Sequence, residues 1–181
     1  DGTPGPGCED VRDCSGRVLV RGCSQARGHP VLTQWIAHGK PERPERRRGV
    51  IDPRRTATGD VADLHLPIAP DTDVALFLGL LAFLNDGGAI DPDYRDAHTG
   101  GFAAAVQAAS AMDRAAVAAV TGIDQAVLTT FYQWVADTEK TVTVYSQGVN
   151  QSASGNAKVN AILHTHLATG RTGRPGMGPV S

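Results

Sequence analysis

The chain has 181 residues, and 41% of them are hydrophobic, which is enough to build a buried core. Its formal net charge of −2 provides no overall field that would attract nucleic acid or an anionic membrane. The longest apolar run, residues 74–84, is too short to cross a bilayer, and no secretory signal opens the sequence. We therefore expect a globular protein that has neither nucleic acid nor a membrane as a partner.

The first predicted elements have the order strand, helix, strand. Residues 17–21 (RVLVR) predict a short buried strand, and Pro30 suits the first turn of a following helix. Residues 40–48 (KPERPERRR) are polar and predict a solvated connection to a second strand at 49–53. Residues 63–68 alternate apolar with polar side chains and contain a proline, which predicts a short strand at the edge of a sheet.

The remaining elements are mostly helical. Thr72 or Asp73 is expected to cap an apolar helix that runs through Asn85 and must be covered on several sides. The further predicted elements are helices at 93–98, 102–112, 114–120 and 124–137, a strand at 141–145, a polar loop at 146–155 and a helix at 156–169.

This order predicts an α/β fold with Rossmann-like, parallel-sheet nucleotide-binding domains and helices on both faces. Residues 1–70 form the predicted β-α-β nucleotide-binding part, and residues 71–140 form a mostly helical part. Residues 141–181 form the strand, loop and helix of a second cofactor-binding part. Neither end of the sequence has the features of a finished protein, so we expect a fragment of a larger subunit.

The loop after the second predicted strand carries both an acid and bases. Because parallel β-α-β units bind ligands at the carboxyl ends of their strands, this loop is a candidate site. Asp52 could bond ribose hydroxyls, while Arg54 and Arg55 could hold phosphate and Thr56 adds a hydroxyl. The alternative is an Asp-Pro turn with solvated arginines.

Two further loops offer polar groups after strands. The backbone of Gly22 and Ser24 could face an anion at a helix N-terminus, or Ser24 could only cap that helix. The loop after the 141–145 strand suits a flat polar heterocycle or is a polar surface turn. Its candidate residues are Gln147, Gly148, Asn150 and Gln151.

Asp73 is a candidate guanine reader, because a carboxylate accepts two parallel hydrogen bonds from the guanine edge; the alternative is a helix cap. His164 and His166 lie two residues apart on a predicted helix, hence on different faces, so we assign them no metal. Cys8, Cys14 and Cys23 match no metal-binding spacing and are interpreted as free thiols in a reducing cytoplasm.

Five segments in this order resemble the molybdopterin oxidoreductase family, and within it the assimilatory nitrate reductases. They are residues 50–57 (VIDPRRTA), 62–76 (ADLHLPIAPDTDVAL), 96–102 (DAHTGGF), 144–151 (VYSQGVNQ) and 160–179 (NAILHTHLATGRTGRPGMGP). Formate dehydrogenase alpha subunits share the overall plan, so formate is the alternative substrate. The alternative from another class of protein is a stand-alone nucleotide-binding module or a non-functional remnant.

The resemblance implies a molybdenum cofactor, bis(molybdopterin guanine dinucleotide). Loops 52–56 and 70–73 would hold one guanine dinucleotide arm, and loop 147–151 would contact the other half. The iron-sulfur cluster and the cysteine ligand of molybdenum would belong to sequence before Asp1, so no catalytic residue and no metal ligand is assigned here. The implied partners are the rest of the catalytic subunit and an electron-donor protein or domain, in the cytoplasm.

We predict that the isolated chain is inactive with nitrate and binds neither iron nor molybdenum, because the family's ligands for both metals lie outside it. Elemental analysis of the purified chain checks this prediction. Iron in stoichiometric amount would contradict the interpretation of its cysteines as free thiols.

Overall fold

The computed structural model describes residues 16–21 and 44–181, together with Val11, Cys14, Gln34 and Ile36. Five strands are present in this part of the chain: β1 (Arg17–Arg21), β2 (Arg47–Ile51), β3 (Leu64–Leu66), β4 (Thr141–Tyr145) and β5 (Gly178–Val180). The labelled helices are α1 (Ala57–Asp60), α2 (Asp73–Asp86), α3 (Pro92–His98), α4 (Phe102–Ala109), α5 (Arg114–Thr121), α6 (Gln125–Ala136), α7 (Gln147–Asn150) and α8 (Gly155–Ala168).

The strands form one parallel sheet in the order β3-β2-β1-β4-β5. The predicted parallel pairing of the first two strands is therefore confirmed, with Val20 opposite Val50. The predicted edge position of the 63–68 strand is also confirmed, because β3 is the outermost strand. The helix predicted after Pro30 lies largely outside the described residues, although Gln34 and Ile36 are helical.

Each face of the sheet is covered by its own apolar cluster, because successive side chains of a strand point to opposite faces. One cluster combines valines of β1, β2, β4 and β5 with residues from the N-terminal segments: Val11, Cys14, Val18, Val20, Ile36, Val50, Val142, Val144 and Val180. The other cluster combines Ile51, Leu66 and Tyr145 with the buried sides of α2, α5, α6 and α8. The predicted α/β class with helical residues on both faces is confirmed.

Helices α2 and α8 lie side by side across the second face and position the loops at one edge. Near the start of both helices, Lys158 of α8 approaches Asp73 of α2. Near their ends, the backbone N–H of Asp91 donates to the carbonyl of Ala168 at 3.0 Å. Because both ends meet, the two helices run in the same direction, and their N-termini share one edge of the sheet.

The prediction of a solvated connection over residues 40–48 is wrong for residues 46–48. Arg47 and Arg48 already belong to β2, and Arg46 is only 1% exposed. The Arg46 guanidinium donates from Nε to the Cys14 carbonyl and from Nη2 to the Val11 carbonyl, both at 2.8 Å. A run of charged residues predicts a solvent-exposed segment only when its hydrogen-bond donors have no partners inside the protein. Here backbone carbonyls supply such partners.

Three short elements were not predicted from the sequence. Helix α1 lies between β2 and β3, the predicted polar loop 146–155 contains the single-turn helix α7, and the Gly/Pro-rich end contains β5, whose residues are all buried. The three parts predicted as domains remain a prediction, but strands from the first and third parts share this sheet. Within the described residues, no single helix is long and apolar enough to span a membrane; only α5 with α6, a pair bent by 116°, meets that criterion by length and composition.

We predict that Gly79→Ala destabilises the chain by about 1 to 3 kcal/mol, although alanine favours a helix more than glycine does. A Cβ at residue 79 would lie 2.5 Å from Val117 Cγ2 and 2.7 Å from the Tyr132 hydroxyl oxygen. Urea unfolding measures the change in free energy. Gly100→Ala is the control, because its Cβ would meet no atom within 4 Å, and equal stability of both variants would contradict the packing.

Candidate functional site

The carboxyl ends of all five strands meet at one edge of the sheet. The register aligns Arg21 with both Ile51 and Tyr145, Ile51 with Leu66, and Val144 with Val180. The chain runs outward from β1 through β2 to β3 and then continues on the other side of β1 with β4 and β5. Open parallel sheets form a ligand crevice where the strand order reverses, which here lies between β1 and β4.

The loop after β2 is held in place by its own acid. Asp52 is 4% exposed, and its Oδ1 accepts a hydrogen bond from the backbone N–H of Arg54 at 2.9 Å. The backbone N–H of Asp52 donates to the Leu66 carbonyl, and its carbonyl lies 3.1 Å from His65 Nε2. Asp52 therefore orders the turn from inside, whereas the predicted role toward ribose remains a prediction.

The two arginines of this loop point their charge into solvent. Arg54 and Arg55 are exposed, and Arg55 pairs with Asp60 at 3.3 Å in a contact that leaves both side chains 67% exposed. Such a solvated pair contributes little to stability. The Arg54 side chain forms no ion pair with the part of the chain that the structure describes. An anion at this edge could therefore be contacted by Arg54 without breaking an existing pair.

The loop after β3 carries two carboxylates that share one ammonium group. Lys158 Nζ lies 2.6 Å from Asp71 Oδ1 and 3.3 Å from Asp73 Oδ2. Asp73 is fully buried and is the first residue of α2, while Thr72 is the N-cap residue and makes no side-chain cap hydrogen bond. Of the two predicted N-cap residues, Thr72 therefore occupies the N-cap position and Asp73 is the first helical residue after it. The role of Asp73 toward guanine remains a prediction.

The loop after β4 presents its amides at the same edge. Gln147, Gly148, Asn150 and Gln151 are all exposed, while Val149 between them is buried and anchors the turn. Asn150 Nδ2 donates to Ser181 Oγ at 3.0 Å, which joins this loop to the end of β5.

Gly155 can start α8 directly behind this loop because a side chain there would collide with the Val149 and Asn150 carbonyls, at 2.9 and 2.8 Å.

The structure brings the loops after β2, β3 and β4 to one edge of one sheet, whereas the sequence assigned the loop after β4 to a second cofactor-binding part. Gly22 and Ser24 lie outside the described residues. Sequence reasoning missed Lys158, which is 1% exposed. The available signal was its spacing, three and four residues before Ala161 and Ile162, which puts the lysine on the apolar face of the helix, where a cation needs a buried partner.

The polar groups at this edge fit a large anionic ligand with a polar ring system. Guanidinium groups bind phosphate, and the amides of Gln147, Asn150 and Gln151 can donate and accept hydrogen bonds. Thr56 Oγ1 is a buried atom that has no hydrogen-bond partner within the described structure, which leaves a donor and acceptor for a bound group.

Comparison with known proteins identifies the family of this chain and agrees with its fold. The family model described as Molybdopterin oxidoreductase matches residues 15–181. The chain therefore belongs to the molybdopterin oxidoreductase family.

The chain is 44% identical over 173 residues to a nitrate reductase of Klebsiella oxytoca and 41% identical over 175 residues to one of Shewanella frigidimarina. In both cases the match covers 96% of this chain but only 19% of the relative. A more distant relative, 26% identical over 169 residues, is the F420-dependent formate dehydrogenase subunit alpha of Methanocaldococcus jannaschii, with 93% of this chain and 24% of that protein covered.

The fold also resembles that of acetylene hydratase from Pelobacter acetylenicus, with a TM-score of 0.73 and 18% sequence identity. The match covers 90% of this chain and 24% of that one. At this identity the likeness concerns the fold alone.

Behind the edge, α8 carries the buried His166, and the buried Arg171 follows the end of this helix. His166 Nε2 lies 2.8 Å from Thr143 Oγ1, and Nδ1 has no partner within the described structure. Burial, with a smaller contribution from the charge of Arg171, lowers the pKa of His166 to about 3. Arg171 donates to the carbonyls of Val135, Thr138 and Glu139 just before β4, which fixes the far end of α8.

We predict that His166 makes the folded chain less stable in mild acid. The unfolded chain binds a proton at His166 near pH 6.5 but the folded chain only near pH 3, so stability is complete above about 6.5 and falls as the pH decreases toward 3. Between about pH 6.5 and 5.5 the loss should be about 1 kcal/mol, measured by urea unfolding.

His166→Gln should remove this dependence, whereas His164→Gln, at an exposed position, should retain it. A pH dependence that persists unchanged in His166→Gln would contradict the neutral, buried imidazole.

Proposed function

We propose that this chain is the cofactor-binding middle portion of a molybdenum-dependent oxidoreductase that reduces nitrate to nitrite. The observation that carries this proposal is the 44% identity to a nitrate reductase over 96% of the chain. The gathering of polar loops at one sheet edge supports it, because large nucleotide cofactors bind at such edges. The parent protein is taken to be about five times longer, since the match covers 19% of that relative.

The proposed ligand is bis(molybdopterin guanine dinucleotide) molybdenum. Arg54 and Arg55 would bind phosphate groups, Thr56 would bond a phosphate oxygen, and Asp52 would bond ribose hydroxyls. Asp73 would accept hydrogen bonds from guanine; because its carboxylate is fully buried and pairs with Lys158, the atoms that cover it would have to move to admit the base. Gly22 and Ser24 would supply backbone N–H groups to the pyrophosphate.

The second cofactor half would contact the loop after β4. Gln147, Asn150 and Gln151 would recognise polar ring atoms, and Gly148 would let the backbone approach closely. These residues bind and orient the cofactor, and none of them is proposed to act on nitrate. When bound, molybdenum supplies the two-electron chemistry by which nitrate loses one oxygen atom, taken up with two protons as water.

The rest of the parent supplies what this chain lacks. An iron-sulfur cluster and the molybdenum ligand would be held by other parts of the catalytic subunit, and an electron-donor protein or domain would deliver the electrons in the cytoplasm. Formate oxidation is the second candidate, favoured by the similarity to a formate dehydrogenase alpha subunit. A nucleotide-binding module acting alone is disfavoured by the breadth of the match to larger oxidoreductases.

We predict that Arg54→Gln in the full-length parent lowers the guanine nucleotide and molybdenum content per protein by about tenfold at limiting cofactor, because one charge-assisted phosphate contact is lost. The melting temperature should stay unchanged, since Arg54 is exposed and its side chain forms no ion pair in the described structure. Nitrate reduction with a chemical electron donor should fall in proportion to molybdenum content.

Arg114→Gln, on an exposed residue of α5 away from the edge, is the matched control and should load normally. Normal loading of Arg54→Gln would contradict the phosphate role. A full-length wild-type protein that oxidises formate and does not reduce nitrate would replace the first candidate by the second.

A further inference from the structure

Lys158 occupies a position that is costly for a lysine. Its side chain is 2% exposed, and it lies in the first turn of α8, where the helix dipole disfavours a positive charge. Burial of an ammonium group away from water is also unfavourable unless it is paired. Two carboxylates offset these effects here: Asp71 of the loop between β3 and α2, and Asp73 at the start of α2.

The two carboxylates differ in their surroundings. Asp73 is fully buried, whereas the Asp71 side chain is 70% exposed although it lies 2.6 Å from the buried Nζ. A lysine needs only Asp73 to satisfy its charge inside the protein. The contact with Asp71 therefore extends the buried pair outward to the surface of the ligand edge.

Asp71 also has an uncommon backbone conformation. Its φ of 64° lies in the left-handed region, and it is the one residue other than glycine with positive φ in the part of the chain described. Asp and Asn tolerate this conformation better than other side chains but still at a cost. Backbone conformations of this kind persist where surrounding contacts enforce them, and Lys158 supplies such a contact.

Lys158 also joins two loops that come from different strands. It belongs to the first turn of α8, which follows the loop after β4, and it binds the loop after β3 at the start of α2. The loops lie on opposite sides of β1 in the strand order. One ammonium group thus connects the two parts of the edge that would contact different halves of the ligand.

We propose that Lys158 is a positioning residue that holds Asp71, and with it the loop between β3 and α2, in the arrangement that retains the guanine nucleotide arm. This inference rests on the proposed function, since it assumes a nucleotide at this edge. Lys158 acts through the carboxylates and touches no reacting atom. Its loss should accelerate nucleotide release from the loaded protein.

The test uses the loaded full-length protein and the variants Asp71→Asn and Asp71→Gly. Both replacements tolerate positive φ, so they remove the charge without straining the backbone. We expect guanine nucleotide to be released about tenfold faster at an unchanged melting temperature, because the buried Lys158 keeps its partner Asp73 and the exposed Asp71 contributes little to stability, while the loop loses its anchor. Asp86→Asn, at the exposed other end of α2, is the control and should release at the wild-type rate.

Lys158→Gln and the double variant with Asp71→Asn test whether the two residues act together. If Lys158 acts through Asp71, the double variant should release nucleotide no faster than Lys158→Gln alone. If the effects of the two single replacements on the release rate multiply in the double variant, the inference is overturned. If Lys158→Gln does not fold, the Asp71 variants decide alone, and a wild-type release rate in Asp71→Asn overturns the proposal.

The nucleotide content of the same wild-type preparation distinguishes a failure of the role proposed for Lys158 from a failure of the proposed function. Wild-type full-length protein without bound guanine nucleotide would overturn the proposed function, and the role of Lys158 with it. Nucleotide present in the wild type, but released at equal rates by all variants, would overturn only the role of Lys158.

Discussion

The parallel pairing of β1 with β2 on one side and β4 on the other determines where every candidate ligand loop lies. Arg21 aligns with Ile51 and with Tyr145, so the chain leaves these strands at the same edge. Each crossing back to the sheet must then pass over a face, and α2, α5, α6 and α8 provide the apolar cover of one face. An antiparallel arrangement of the same strands would distribute the polar loops over both edges and leave no common surface.

Buried charge is used mainly to fix the two ends of this framework. At the carboxyl edge, Lys158 binds the start of α2 through Asp73. At the opposite edge, Arg171 holds the backbone before β4, and Arg46 holds the segment before β1. Each of these cations has partners that satisfy it, which keeps its burial tolerable, and removing one partner would leave an expensive unpaired group.

Periodic elements were predictable because burial alone specifies them. The apolar run that forms α2 and the β-branched run that forms β4 were located to within a residue or two. The parallel pairing followed from the β-α-β order. The family resemblance, carried by segments such as 144–151, directed attention to loops that the structure places at one edge of the sheet.

The missed features depend on partners distant in sequence. Arg46 resembled a solvated charge because its acceptors lie more than thirty residues away, at separations of 32 and 35. Asp73 resembled a helix cap because its ion-pair partner, Lys158, lies on a different helix, α8. Strand β5 is three residues long within a Gly/Pro-rich run, so only its pairing with β4 reveals it.

The central claim is that the carboxyl edge of this sheet binds the nucleotide arms of the cofactor. Hydrogen-deuterium exchange of the full-length protein, with and without cofactor, tests it most directly. We predict protection on loading in segments 52–56, 70–73 and 147–151, and none at 98–102, which lies near the other end of α8. Protection elsewhere, with these three segments unchanged, would contradict the account.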